Sequence, residues 1–250
     1  MSKQCQYIYG IVQEPQPRKF SCSGVGEAKV YTINYVDLAA VVSDIELDEI
    51  DPTRKNVLAH TIVQDELLKH YTVIPTGFGM IATSQDHVLK LLEKNQQSLS
   101  SELTRLSGKV EVELKVFWDQ EAMLKKLQGE NYEFAKLKAK MSSSSSPMEA
   151  RNLMMEAGRL VERIALDWKA RYAERVYAVL KGLAIEAKLN NPLGVKNILN
   201  ASFLLNRTKE GDFRQEVYKL DSQYQGNVNF KYVGPLAPYN FVSLKLETEN

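Results

Sequence analysis

The sequence predicts an α+β protein of two domains. Three observations carry that prediction. The chain has 250 residues, more than a single small core needs and enough for two. Apolar residues alternate with a period of two in several short runs and recur with a period near 3.6 in several longer ones. Finally, Gly108 separates a long helical stretch from a strand, which sets the boundary between a domain over 1–107 and another over 108–250.

The N-terminal domain opens on the strand-like Tyr7-Ile8-Tyr9-Gly10-Ile11-Val12, which Pro15 and Pro17 stop. Ser21 to Gly26 is small and turn-prone. Val30–Tyr35 and Leu38–Ser43 read as a hairpin or neighbouring strands. Asp51-Pro52-Thr53 opens a helix, with proline just inside its start, and Leu58, Ile62, Val63 and Leu67 supply its apolar face. Tyr71–Pro75 is β-like, Thr76-Gly77-Phe78-Gly79 is a loop, and Met80 and Ile81 return to extended structure. One long helix from Thr83 or Ser84 to Gly108 presents Val88, Leu92, Leu99, Leu103 and Leu106 on one face, interrupted only by Asn95.

The C-terminal domain begins with the clearest strand. Val110, Val112, Leu114, Val116 and Trp118 alternate with Glu111, Glu113, Lys115 and Phe117, so one face is expected in the core and the other mostly in water. Helical sequence runs from Gln120 to Lys140. Five serines, Ser142 to Ser146, make a flexible connection before Pro147. The next helix carries Leu153, Ala157, Leu160, Val161, Ile164 and Trp168 on a face and continues towards Leu180. Two strands follow, with Leu183, Ile185 and Ala187 in one and Leu199, Ala201, Phe203 and Leu205 in the other, joined by the turn Asn191-Pro192-Leu193-Gly194. Asp212 caps a last helix bearing Phe213, Val217, Leu220 and Tyr224; Gly226 ends it, and Val228, Phe230 and Tyr232 form the final strand. Strand, helices, strand, strand, helix, strand is the order of a ferredoxin-like split βαβ domain, here with an enlarged helical crossover.

Composition narrows the function. Hydrophobic residues are 44% and charged residues 25%, the profile of a folded chain. Lys+Arg number 32 and Asp+Glu 31, so there is no global excess of cations for binding nucleic acid. Cys5 and Cys22 are too few for a disulfide framework or a zinc site and read as free thiols in a reducing cytoplasm. No signal-peptide-like or membrane-spanning apolar run is present, so a soluble cytoplasmic protein without a lipid-membrane role is expected.

No catalytic, cofactor or metal signature emerges, and a non-enzyme is expected. His60 and His70 are too far apart for an i, i+4 metal pair, and His87 has no clustered partner. Gly24-Val25-Gly26 lacks the Gly-Lys-Ser/Thr of a phosphate loop and reads as a tight turn. The acidic run Asp44, Glu46, Asp48, Glu49 and Asp51 lacks the glycine of a calcium loop and reads as a solvated approach to a helix. Lys125, Lys126, Lys136, Lys138 and Lys140 read as a solvated helical face rather than a membrane-surface helix. The closing Gly234-Pro235-Leu236-Ala237-Pro238-Tyr239-Asn240-Phe241-Val242 combines stiff prolines with large side chains. It either seals the core or docks a protein, since aromatics are enriched at interface hot spots.

Taken together, the opening strand, Ile74-Pro75-Thr76-Gly77-Phe78-Gly79, Glu113-Leu114-Lys115-Val116-Phe117, Leu199-Asn200-Ala201-Ser202-Phe203-Leu204 and the closing run resemble, in order, the gas vesicle GvpF/GvpL family. The chain departs from that family's pattern at Gly77, where arginine is common, and at Leu236-Ala237, where Trp-Pro is common. The resemblance implies a minor structural or assembly protein of gas vesicles, a ferredoxin-like C-terminal domain, no enzymatic activity, no cofactor and no small-molecule substrate. Its implied partners are the small, very apolar shell protein and other gas vesicle accessory proteins, and its implied location is the gas vesicle within the cytoplasm. Pro75, Phe78, Leu236, Pro238, Tyr239 and Phe241 are the expected partner-binding residues. The alternatives are a transient assembly chaperone, a ligand-binding ferredoxin-like domain, and an RNA-binding sheet using Phe203 and Phe230.

Overall fold

The computed structural model describes residues 5–46, 49–144, 146–191, 196–224, 226, 228–244 and 246. It is a mixed α+β fold with two sheets. The chain divides into two units of internal contact, one comprising Met1–Val112, Leu204–Arg207 and Gly234–Asn250, the other Glu113–Phe203 and Thr208–Val233.

The first unit is built on β1 (Cys5–Gln13), β2 (Lys19–Ser23), β3 (Lys29–Tyr35), β4 (Leu38–Ile45), β5 (Val73–Pro75) and β6 (Ile81–Ala82). Their order is β2-β3-β4-β1-β5, with β6 also pairing β1. β3 and β4 form the expected hairpin, from Val30↔Ser43 to Tyr35↔Leu38. β1 is antiparallel to both β4 and β5, and eight of its nine residues are buried, which explains its near-continuous apolar sequence. One core contains Tyr7, Tyr9, Val12, Val41, Val63 and Leu67. The other contains Ile8, Ile11, Val42, Val88, Leu99 and Leu106. β1 side chains alternate between the two cores, and the register shift between Ile8 and Gly10 resets the alternation, so that Ile11 joins Ile8 and Val12 joins Tyr7 and Tyr9.

α1 (Arg54–His70) begins two residues later than the sequence predicts, because the Thr53 hydroxyl caps it by accepting from Asn56 N–H at 3.2 Å. Pro52 therefore precedes the cap. The predicted helix face also mixes two sides: His60, Val63, Gln64 and Leu67 are buried, whereas Leu58 and Ile62 are exposed. The single helix predicted after Ser84 is two, α2 (Gln85–Lys94) and α3 (Gln96–Leu106). Asn95 breaks it with φ −105° and ψ 10°, and its side-chain amide donates back to the Leu91 carbonyl at 2.8 Å. Gly108, at φ 68°, provides the left-handed stop.

The second sheet is ordered β10-β7-β9-β8, from β7 (Lys109–Trp118), β8 (Glu186–Leu189), β9 (Asn197–Asn206) and β10 (Val228–Leu236). Within the second unit the predicted helical stretch is α4 (Gln120–Glu130) and α5 (Tyr132–Ser143), separated by Asn131, whose side chain caps α5. α6 (Pro147–Lys181) follows. Ser142 and Ser143 complete α5 and Ser146 caps α6, while Ser145 lies outside the described residues. So do Pro192, Leu193 and Gly194 of the predicted turn, and Asp48 of the acidic run. α7 (Glu210–Gln223) starts before Asp212, so that residue is not its cap and pairs with Lys209 at 3.0 Å instead. Phe203 is fully buried with its ring 5.1 Å from Phe213, and it offers no face for a stacked base.

Candidate partner-binding face

In the first unit, three of the sequence segments singled out above meet around one histidine. β1 turns Tyr7 and Tyr9 to the same side, their ring centres 4.9 Å apart. α1 brings His60 against them, with both ring-centre distances at 5.6 Å. The Tyr7 hydroxyl is 2.9 Å from His60 Nδ1 and accepts from Gly79 N–H at 3.1 Å. Phe78, from the same loop as Gly79, packs edge-on against both Tyr7 and His60.

The loop is fastened in place by polar side chains. Thr76 donates from its hydroxyl to the Ile8 carbonyl at 2.6 Å. Gln64 donates to the Tyr9 carbonyl at 2.7 Å and the Thr76 carbonyl at 3.1 Å. These bonds satisfy backbone oxygens that are otherwise buried. Tyr9 is fastened at its other end, accepting from Val25 N–H at 2.7 Å and bonding the Ser43 hydroxyl at 2.8 Å. Gly24 is glycine because the Tyr9 hydroxyl occupies the space a β-carbon would need. The Gly24-Val25-Gly26 segment is thus a turn that receives a tyrosine.

The closing segment completes the group. The Tyr239 hydroxyl lies 3.3 Å from His60 Nε2, so His60 bridges two tyrosines through its two ring nitrogens. Ala237 belongs to the same core as Tyr7, and Phe241 to the other core of this unit. Between them, Asn240 donates to the Glu111 carboxylate twice, from its backbone N–H at 2.8 Å and its side-chain amide at 2.5 Å. Arg105, which is also paired with Glu102 at 2.8 Å, donates to the Phe241 carbonyl. Glu111 is only 1% exposed, against the expectation that it lies on the wet side of its strand. Gly234 adopts φ 154°, and a β-carbon there would come within 2.8 Å of Val112.

The electrostatics keep this group neutral. Burial pushes the Tyr7 hydroxyl up to about 12 and also raises Tyr9 and Tyr239. Burial lowers His60, whose imidazole is therefore uncharged at neutral pH. Among the described residues, no group of three or more His, Cys, Asp or Glu is placed to hold a metal ion, and no helix is long and apolar enough to cross a membrane.

Of the six residues expected to bind a partner, Pro75, Pro238 and Phe241 are buried in this fold, Phe78 and Leu236 are half-buried, and Tyr239 is 42% exposed. The sequence reading missed His60 and Glu111 as the residues that hold the segment. It also missed the outer side of α1, where Leu58 is 55% and Ile62 46% exposed. They flank His60 by two residues each way, which at 100° per residue places them on the opposite side of the helix.

Comparison with known proteins accounts for this arrangement of segments. The family model described as gas vesicle synthesis protein GvpL/GvpF matches residues 6–243. The chain is 25% identical over 241 residues to gas vesicle protein F of Nostoc sp., covering 95% of this chain and 98% of that one. It is 29% identical over 242 residues to gas vesicle protein F of Streptomyces sp., covering 94% and 98%. The crystal structure of gas vesicle protein GvpF from Anabaena sp. superposes with a TM-score of 0.80 at 25% identity, covering 97% of this chain and 99% of that one.

Proposed function

Because this chain belongs to the gas vesicle synthesis protein GvpL/GvpF family, we propose that it serves its accessory role at gas vesicles by binding the small apolar shell protein and supporting vesicle formation. The observation that carries this reading is the exposed apolar surface the first unit retains. Val57, Leu58, Ile62 and Tyr239 are each at least 40% exposed, with Leu58 and Ile62 on the outer side of α1 and Tyr239 against His60, in a closing segment held by hydrogen bonds. An unassembled shell subunit carries apolar surface that must be covered to stay out of aggregates. A half-exposed Leu, Ile or Tyr covered by it contributes on the order of 1 kcal/mol, and a preorganised surface loses little entropy on binding. Half-buried Phe78, which packs on His60, and Leu236 of the closing segment are the further candidates on the Tyr239 side, while buried Pro75, Pro238 and Phe241 act by holding these segments in shape.

The order β10-β7-β9-β8, with helices after the first and third strands in sequence, supports a ferredoxin-like reading of the second sheet. That fold hosts many functions, so the proposal rests on the first unit's surface and not on the fold.

Co-purification tests the reading. Tagged protein is expressed with the shell protein, alongside a Leu58→Ser/Ile62→Ser/Tyr239→Ala variant. Wild type is expected to retain shell subunit and the variant to lose most of it. Equal retention by both proteins excludes this face. Presence of the chain in isolated vesicles, against its presence only in cell extract, separates a permanent component from a transient chaperone.

A further inference from the structure

α6 is 35 residues long, ~52 Å, and its C-terminal part enters the core of the second unit. There Val176 and Leu180 are buried, and the Tyr177 ring centre lies 6.0 Å from that of Phe203. Earlier in the helix the inner side is Leu160, which is buried beside Leu137 of α5, with Leu153, Ala157 and Ile164 half-buried. The opposite side holds large apolar side chains in water: Met148 is 76%, Met155 50% and Leu166 61% exposed. Arg159 and Glu162, both exposed, stand between them. At about 100° per residue these five fall within ~60° of one another, roughly 150° round the helix from the inner side. We propose that this stripe is the seam of an antiparallel pairing between two copies of the chain.

The sequence of the stripe fits itself. From Met148 through Asn152, Met155, Arg159, Glu162 and Leu166 to Lys169 and Ala173, the steps alternate between four and three residues, the spacing of a two-helix seam. A two-fold axis between Leu160 and Val161 sets Met155 against Leu166 of the second copy, Arg159 against Glu162, and Met148 against Ala173, each pair occurring twice. Asn152 falls opposite Lys169, polar against polar. Glu156 and Arg163 share one flank of the stripe, and each comes alongside its opposite charge in the second copy.

The charges fix both orientation and register. A parallel pairing would set Arg159 against Arg159 and Glu162 against Glu162. Sliding the antiparallel pairing by one heptad sets Arg159 against Lys169 in one direction and against Met155 in the other. A purely apolar partner would cover Arg159 and Glu162 without supplying charges to oppose them, whereas a second copy supplies both. Three large apolar side chains per copy make a small interface, so a dissociation constant of ~10–100 μM is expected. This seam is separate in sequence from Leu58, Ile62 and Tyr239, so it and the shell-binding reading can fail independently.

The test is sedimentation velocity on the full chain. Wild type is expected to pass from monomer to dimer across ~5–300 μM. Arg159→Glu and Glu162→Arg each put like charges at both central contacts and should weaken dimerisation ~10-fold. An equimolar mixture of these two variants places opposite charges together again and should dimerise like wild type, a result that misfolded variants cannot produce. The doubly reversed Arg159→Glu/Glu162→Arg chain should do the same alone. A wild type that stays monomeric throughout, dimerisation untouched by either reversal, or a mixture no better than its components overturns the proposal. A monomeric wild type whose retention of shell protein falls in Met155→Ser/Leu166→Ser also overturns it, and assigns the stripe to that partner.

Discussion

Replacing Glu111 by glutamine tests how the closing segment is held. The carboxylate is 1% exposed and accepts two hydrogen bonds from Asn240, at 2.8 and 2.5 Å. A glutamine has the same shape but only one acceptor oxygen, so its amide meets one of the two Asn240 donors with another donor. A hydrogen bond to a charged group is worth ~1.5–3 kcal/mol, and a buried donor left without a partner costs a comparable amount. Opposing this, the neutral side chain no longer bears the desolvation cost of a buried carboxylate. With both carboxylate oxygens already bonded, the lost bonds should win by about 2 kcal/mol, which lowers the melting temperature of a unit this size by ~4–8 °C. Thermal denaturation reads the shift, and hydrogen–deuterium exchange over residues 234–242 locates it. An unchanged or raised melting temperature together with unchanged exchange would refute the reasoning, leaving Phe241 packing as what holds the segment.

Phe241→Ala empties a buried position in one core of the first unit and should cost ~3–5 kcal/mol, read as an earlier denaturant midpoint. The neutral cluster predicts losses of stability at both ends of the pH scale. His60 is lowered by burial from 6.5, so its contribution is complete above that value and is lost as pH falls through its folded-state pKa. Tyr7 is raised from 10.0 to about 12, so its contribution is complete below the first value and is lost as pH rises towards the second. Denaturant melts across both windows should show a shallower alkaline loss in Tyr7→Phe than in wild type. Gly24→Ala forces the Tyr9 hydroxyl from its site and should expose Val25 N–H to exchange.

Where the sequence carried local information, it was legible. The hairpin of β3 and β4, the strand β7 and the stop at Gly108 follow from period, turn chemistry and a glycine. Asn95 was visible as a polar break in an apolar stripe, but only the structure shows that it ends one helix and begins another. α1 was misread because Leu58 and Ile62 are five residues before Val63 and Leu67, a spacing close enough to helical to merge two sides into one face. The burial of Glu111 could not be read locally, since alternation along β7 assigns it to water. Its partner Asn240 lies 129 residues further on. His60 was equally silent, because the loop and the closing segment that enclose it come from distant parts of the chain.

Photo-cross-linking in cells that make gas vesicles tests the proposed mode of action most directly. A photoreactive residue is placed at Ile62 in the first unit, or at Tyr218, which is 60% exposed in the second. The first-unit position should yield a covalent adduct with the shell protein, and Tyr218 should yield none. A shell adduct from Tyr218 with none from Ile62 would place the contact elsewhere and contradict the account.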